Sequence, residues 1–151
     1  MLTRRLLAVP LLLMLTPSFC PAAEIRDKAA LFSSDAIRQA KTTLERAEKS
    51  SGRTVMIETV SSLEGRDPDE VVNANADSHT ASLYVLFAKK EHKFRFRERP
   101  IAIFDLGQES AITAMFMNSL KTGDFDGALT RGSESIATAF SSRPAANRAN
   151  V

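Results

Sequence analysis

The sequence predicts an α/β fold, a single three-layer sandwich in which a small mixed β-sheet is flanked by helices on both faces. First, helix-like and strand-like hydrophobic periods alternate along the chain. Second, the apolar run over residues 83–87, Leu-Tyr-Val-Leu-Phe, is typical of a central strand buried on both faces. Third, the strict alternation of charged residues and phenylalanine over residues 93–97 indicates a half-exposed antiparallel strand.

Residues 1–22 have the pattern of an export signal. Arg4 and Arg5 supply a positive start, residues 6–15 supply an apolar run, and residues 20–22 offer small side chains for cleavage. The apolar run is about ten residues long, whereas a membrane-spanning helix needs roughly twenty. We therefore expect cleavage after residue 22, an exported protein that is periplasmic or secreted, and no membrane-spanning segment after cleavage. A permanent N-terminal anchor is the alternative.

Composition after cleavage excludes several classes of protein. The whole chain has 20 Lys and Arg against 18 Asp and Glu. Two arginines lie in the leader, so the mature chain is balanced at 18 against 18, which does not point to a nucleic-acid partner. Cys20 is the single cysteine and also lies in the leader. The mature protein therefore has no disulfide, thiol nucleophile or zinc–thiolate site.

The first half of the mature chain predicts two helices and one strand. Ser33 or Ser34 caps a helix that ends at Gly52, a residue suited to the left-handed position after a helix. A strand follows over residues 53–60, and its consecutive apolar residues indicate cover on both faces. Asp67 is the next helix cap, with proline in the first turn, and this helix runs to about residue 79. The segment before the first helix is assigned no regular structure.

The second half predicts two strands and two helices. The strands cover residues 82–88 and 93–97, with a short extension at residues 101–104. Asp105 caps the third helix, paired with Gln108 in the manner of a capping box, and Gly123 ends it. A last helix starts at Asp124. The chain thus divides into a leader (1–22), one α/β domain (23–141) and a flexible tail (142–151).

Three sequence blocks resemble the TPM domain family, which includes thylakoid-lumen and bacterial envelope proteins. The blocks lie at residues 25–33, 51–65 and 120–129, in the family's order. The resemblance is strongest in scaffold segments. Two segments in which the family usually has glycine, residues 80–83 and 97–100, have none here. The resemblance implies an extracytoplasmic α/β sandwich, often accessory to the maintenance of membrane proteins. Calcium binding and phosphatase activity have been attributed to some relatives.

The family motif makes Asp27 the leading candidate for a metal ligand. It precedes the first helix, where a carboxylate can join a set of oxygen ligands for a hard cation such as calcium. The alternative is a turn residue that binds nearby backbone amides. Asp67 and Asp105 are the further candidate ligands, and both have an alternative explanation as helix caps. Asp124 to Gly127 resembles the start of an EF-hand loop, but the later ligand positions are not met.

Positive charge concentrates on the predicted hairpin. We take Lys90, Lys93, Arg95 and Arg97 as a candidate anion-binding or partner-binding surface. The alternative is a solvated strand edge that its charge protects from aggregation. Neither of the two histidines forms part of a recognisable catalytic triad, and the chain lacks a glycine-rich phosphate loop.

Two functions remain open at this stage. The first is an exported, non-catalytic accessory module that binds an envelope or membrane-protein partner. The second is a metal-dependent, calcium-binding phosphatase that uses Asp27 and nearby carboxylates, in which a metal-bound water is the nucleophile.

Overall fold

A computed structural model describes residues 23–100 and 102–142 of the chain. The predicted leader and residues 143–151 of the predicted tail lie outside the described residues. The elements follow one another as β1 (Glu24–Asp27), α1 (Ser34–Ser51), β2 (Val55–Val60), α2 (Pro68–Ser78), β3 (Leu83–Ala88), β4 (Lys93–Glu98), α3 (Leu106–Thr122) and α4 (Phe125–Ser142).

The four strands form one mixed sheet in the order β1-β2-β3-β4. The first three strands are parallel, and β4 runs antiparallel to β3. This confirms the predicted mixed sheet, with residues 83–88 as an inner strand. β1 is not predicted from the sequence, because four residues are too few to show a period. β1 is defined by its pairing with β2, in which Ile25 lies opposite Ile57 and Asp27 lies opposite Thr59.

The helices cover both faces of the sheet, which confirms the three-layer sandwich. The larger core cluster joins one sheet face to α1, α3 and α4, and it includes Leu44, Ile57, Phe116 and Phe140. The smaller cluster joins the opposite face to α2. None of the helices in the described part of the chain combines the length and apolarity needed to cross a membrane.

The predicted helix ends are also confirmed. The Ser33 side chain caps α1, and Gly52 ends that helix with a left-handed φ of 68°. Asp67 caps α2. Asp105 and Gln108 form a reciprocal capping box at α3. Each cap satisfies backbone N–H groups that have no partner inside the helix.

The predicted extension at residues 101–104 differs in the structure. Ile101 lies outside the described residues, and residues 102–104 form no strand. Instead the Phe104 amide donates to Glu98 Oε1 at 2.8 Å. The Phe104 ring packs edge-on against Phe96, with 5.5 Å between ring centroids. The chain therefore crosses from β4 to α3 through side-chain contacts rather than strand pairing.

Three phenylalanine rings form the centre of the larger cluster. Phe116 of α3 stacks on Phe94 with 4.4 Å between centroids and meets Phe87 edge-on at 5.0 Å. Gly132 of α4 allows this arrangement, since a Cβ at that position would lie 2.0 Å from Phe116 Cζ. The close approach of α3 and α4 thus depends on the missing side chain at Gly132.

We predict that Gly132→Ala lowers the free energy of unfolding. The new methyl group forces Phe116 out of its stack, and overpacking of this kind costs about 1–3 kcal/mol. Better helix propensity recovers only about 1 kcal/mol. Urea unfolding measures the net loss. In a Phe116→Leu background the same substitution should cost clearly less, and an equal cost in both backgrounds would contradict the steric explanation.

Candidate functional site

Asp27 lies at the carboxyl end of β1 and closes the loop that leads into α1. Its Oδ1 accepts hydrogen bonds from the Leu31 amide at 3.0 Å and from Thr59 Oγ1 at 2.6 Å. Its Oδ2 accepts from the Phe32 amide at 2.9 Å. Thr59 Oγ1 in turn accepts from the Ala29 amide at 2.9 Å. Both carboxylate oxygens are therefore engaged in holding the loop on the sheet.

Asp67 and Asp105 are engaged in a similar way at other places. Asp67 Oδ1 accepts from the Asp69 amide at 2.8 Å and from the Glu70 amide at 3.2 Å. Asp105 Oδ1 accepts from the Gln108 amide at 2.8 Å. These are the capping roles that the sequence offered as alternatives.

The structure does not bring the three candidate ligands to one point. Asp27 and Asp67 follow parallel strands and therefore lie toward the carboxyl edge of the sheet. Asp105 follows β4, whose last residue Glu98 pairs with the first residue of β3, so it lies toward the opposite edge. The residues described contain no group of three or more His, Cys, Asp or Glu side chains that could hold a metal ion. These residues do not fit a carboxylate cage for calcium.

The arginines of the predicted basic surface face α2. Arg95 Nε donates to Asp69 Oδ1 at 2.9 Å, and Arg97 donates to Asn73 Oδ1. Arg99 continues the series with Asp77. Each step is four residues on the helix, about 6 Å, and two on the strand, about 6.6 Å. We call this series the α2–β4 ladder. The charges of Arg95 and Arg99 are paired with acids, whereas Arg97 donates to a neutral amide.

The lysines of the same surface differ from the arginines. Lys90 and Lys93 are exposed at the β3–β4 turn and form no ion pair with any described residue. Lys89 is also exposed, and its Nζ donates to the Ala29 carbonyl at 3.3 Å. The predicted four-residue surface therefore divides into two arginines held by α2 and two lysines whose charge is directed to solvent.

Sequence reasoning missed a polar cluster between the sheet and α2. Glu58 on β2 is 3 % exposed, and its carboxylate accepts from the Tyr84 hydroxyl and pairs with Lys28. Asn75 Nδ2 lies 3.0 Å from the Tyr84 hydroxyl and 3.4 Å from Glu58 Oε2. A charged residue within an apolar strand was the available signal, but its partners come from three other segments.

Burial and hydrogen bonding act in opposite directions on Glu58. Burial alone raises the pKa of its carboxyl group, but the hydrogen bonds from Lys28 and Tyr84, with the charges of Lys28 and Arg26, outweigh burial and leave the pKa below its usual value. Burial and the bond to Glu58 raise the pKa of Tyr84 far above its usual value. The cluster is therefore an ionised carboxylate held by a neutral phenol and a lysine.

Asp126 was also missed as a residue that joins two distant segments. Its Oδ1 accepts from the Ser33 amide at 2.8 Å, which links the start of α4 to the residue that caps α1. Neighbouring Asp124 accepts from the Gly127 amide at 3.1 Å, as a helix cap does. The first and third family-like blocks thus meet in space beside the Asp27 loop.

We predict that Glu58 contributes to stability at neutral pH and that this contribution is lost in acid. Because its folded pKa lies below the unfolded value of about 4.3, the carboxylate favours the folded state, and stability falls as the pH drops through the folded pKa. Urea midpoints between pH 7 and pH 3 should fall less steeply in Glu58→Gln than in wild type. Glu134→Gln, at an exposed position, should follow wild type. Equal slopes in all three proteins would contradict the assignment.

Comparisons with known proteins agree with the fold. The N-terminal domain of the cg2496 protein from Corynebacterium glutamicum matches with a TM-score of 0.66 and 17% identity, covering 92% of each chain. An N-terminal domain from P. gingivalis matches with a TM-score of 0.68 and 16% identity, covering 78% of this chain and 82% of that one. The BA42 protein from the psychrophilic bacterium Bizionia argentinensis matches with a TM-score of 0.62 and 12% identity, covering 80% and 88%.

Sequence comparison gives the family. None of the curated proteins matches this chain at a significant level. A family model named TPM_phosphatase, which describes the TPM domain, matches residues 25–139. This range contains all of the strands described above except the first residue of β1. It also contains all of the helices except the last three residues of α4. The chain belongs to the TPM domain family.

Proposed function

We propose that this TPM domain is an exported, non-catalytic module that binds an envelope or membrane-protein partner through an acidic surface of that partner. The observation that carries the proposal is the pair of exposed lysines at the β3–β4 turn, Lys90 and Lys93, which have no ion pair among the described residues. Exposed charge that is not held in an ion pair attracts a surface of opposite sign and guides its encounter.

The turn is also presented rigidly. The Lys89 amide donates to the Val60 carbonyl at 2.9 Å, and the Lys90 amide donates to the Ser61 carbonyl at 3.1 Å. Glu91 accepts from Ser62 Oγ at 2.7 Å and from the Leu63 amide at 3.0 Å, which holds the turn against the loop after β2. A turn fixed in this way loses little conformational freedom when a partner binds, and this favours a binding role.

The carboxylates support the same proposal. Asp27, Asp67 and Asp105 each stabilise a loop or a helix end, at places that do not converge. Because their oxygens already accept backbone hydrogen bonds, these acids have a sufficient structural role without a metal ion.

We predict that the turn contacts a specific envelope protein. A photo-crosslinking residue placed at position 92 of the full chain, an exposed position between the two lysines, should give a discrete adduct with one protein of the cell envelope. The same residue at position 121, an exposed lysine on α3, is the matched control and should not. Lys93→Glu should lower the adduct yield, while Lys121→Glu should leave it unchanged.

The size of the effect follows from the energy of exposed ion pairs. Each contributes about 0.2–1 kcal/mol, so reversing both turn lysines should weaken binding about 2- to 30-fold. Raising the salt concentration should weaken the wild type in the same direction. Adducts of equal yield from positions 92 and 121, or binding that is unchanged when both lysines are reversed, would contradict the proposal.

The calcium-dependent phosphatase is the second candidate. The name of the matching family model contains the word phosphatase and says nothing of calcium. Asp27 lies at the carboxyl edge of the parallel strands, where sheets of this kind place ligands. In this candidate Asp27 would have to exchange at least one backbone hydrogen bond for a cation.

We predict that Asp27→Asn lowers the free energy of unfolding by about 1–3 kcal/mol with or without calcium, since it weakens charge-assisted bonds to the loop. Thr59→Val is the matched control, because it removes one donor to Asp27 and keeps the carboxylate. Thermal melting with micromolar calcium, together with p-nitrophenyl phosphate hydrolysis, checks both candidates. A calcium-dependent rise in wild type and Thr59→Val that is absent in Asp27→Asn would favour the phosphatase.

A further inference from the structure

A second buried carboxylate, that of Glu48, lies beside the first described residue, Ala23. Glu48, near the end of α1, is 5 % exposed, and Ala23, immediately before β1, is 1 % exposed. Ala23 belongs to the larger core cluster, with Leu44 and Ala47 of the same helix. The first residue of the domain is therefore enclosed by the core.

Glu48 is held by two backbone donors, one in β2 and one in the residue before β1. Its Oε1 accepts from the Val55 amide at 2.6 Å, and its carboxylate also accepts from the backbone nitrogen of Ala23. It forms no ion pair with any residue from 23 to 100 or from 102 to 142. A buried carboxylate without a cation is costly, because hydrogen bonds replace only part of the lost hydration.

Burial, two backbone amides and another carboxylate act on the pKa of Glu48. Burial raises the pKa of Glu48, and the repulsion of Glu45 adds to it, although the amides of Val55 and Ala23 act in the opposite direction. A positive charge at the nitrogen of Val55 or Ala23 would offset the cost of burying the Glu48 carboxylate.

We propose that Glu48 is the receptor for a new N-terminal ammonium group, which forms when the leader is cleaved between Ala22 and Ala23. This inference rests on the export step of the proposed function. Hydrolysis adds the hydroxyl of water to the Ala22 carbonyl carbon and a hydrogen to the Ala23 nitrogen. That nitrogen then takes a proton from solvent, because an α-amino group has a pKa of about 7.7–8.0.

Cleavage thus converts an amide donor to Glu48 into a cationic one without moving either residue. The hydrogen bond already present, which the carboxylate charge assists, becomes an ion pair between two enclosed groups and gains the attraction between opposite charges. Processing at this bond stabilises the domain through Glu48, and processing at another bond would not place an ammonium group there.

A thermodynamic cycle tests the pair. The precursor and the processed chain are each prepared as wild type and as Glu48→Gln, which keeps an acceptor for the Val55 amide but removes the charge. At pH 7 processing should raise the melting temperature of the wild type by about 5 °C or more and that of Glu48→Gln by much less. Glu134→Gln, at an exposed position on α4, is the matched control and should follow wild type.

A second measurement separates the effect of the Ala23 charge on the melting temperature from any effect of the leader itself. Acetylation of the Ala23 amine in the processed wild-type chain removes the charge and should lower the melting temperature by a similar amount. Because it uses the wild-type chain, this measurement still tests the ion pair if Glu48→Gln fails to fold. An unchanged melting temperature after acetylation, or equal gains on processing in wild type and Glu48→Gln, would overturn the proposal.

N-terminal sequencing separates this proposal from the export on which it rests. A processed chain that begins at Ala23 but shows no coupling to Glu48 overturns the ammonium receptor and leaves export intact. An exported chain that begins at another residue also overturns the ammonium receptor and leaves export intact. A chain that keeps its leader and stays in the cytoplasm overturns export as well.

Discussion

The inner position of β3 is the constraint on which the rest of the fold depends. All six of its residues are buried, so both faces of the sheet need a helical layer at this strand. Its parallel partner β2 requires a crossover, which α2 supplies on one face. Its antiparallel partner β4 brings Phe94 beside Phe87, and the stack with Phe116 then places α3 and α4 on the other face. The layers thus follow from the burial of one strand.

Much of this arrangement can be predicted from the sequence because it depends on residues that are close together in the chain. Helix caps, the apolar run of β3 and the alternation of β4 each depend on residues close together in the chain, and the structure confirms them. β1 and the Glu58 cluster depend on partners more than fifteen residues away. Their own composition carries little information about pairing. An edge strand of four residues and a lone acid in a strand gain meaning only from the tertiary fold.

The candidate site shows the same division more sharply. The family motif directs attention to Asp27, and the alternative drawn from elementary chemistry, a turn carboxylate that binds amides, describes its contacts in the structure. Periodicity predicted that the arginines of β4 share a face, but it did not reveal that α2 presents acids and an amide at matching intervals. Charge in a sequence therefore indicates where a surface is, whereas its availability to a partner depends on which neighbour compensates it.

Because of the α2–β4 ladder, the two helical layers differ in the type of contact that attaches them to the sheet. α2 buries only Val71, Val72 and Ala76 in the smaller core cluster, and polar pairs that water and ions can reach add to this apolar contact. The opposite layer is held by a contiguous set of apolar side chains, which added electrolyte does not weaken. In a saline or acidic compartment the two sides should come apart in sequence. α2 would detach first as a separate opening unit, while the three-helix side keeps the sheet folded.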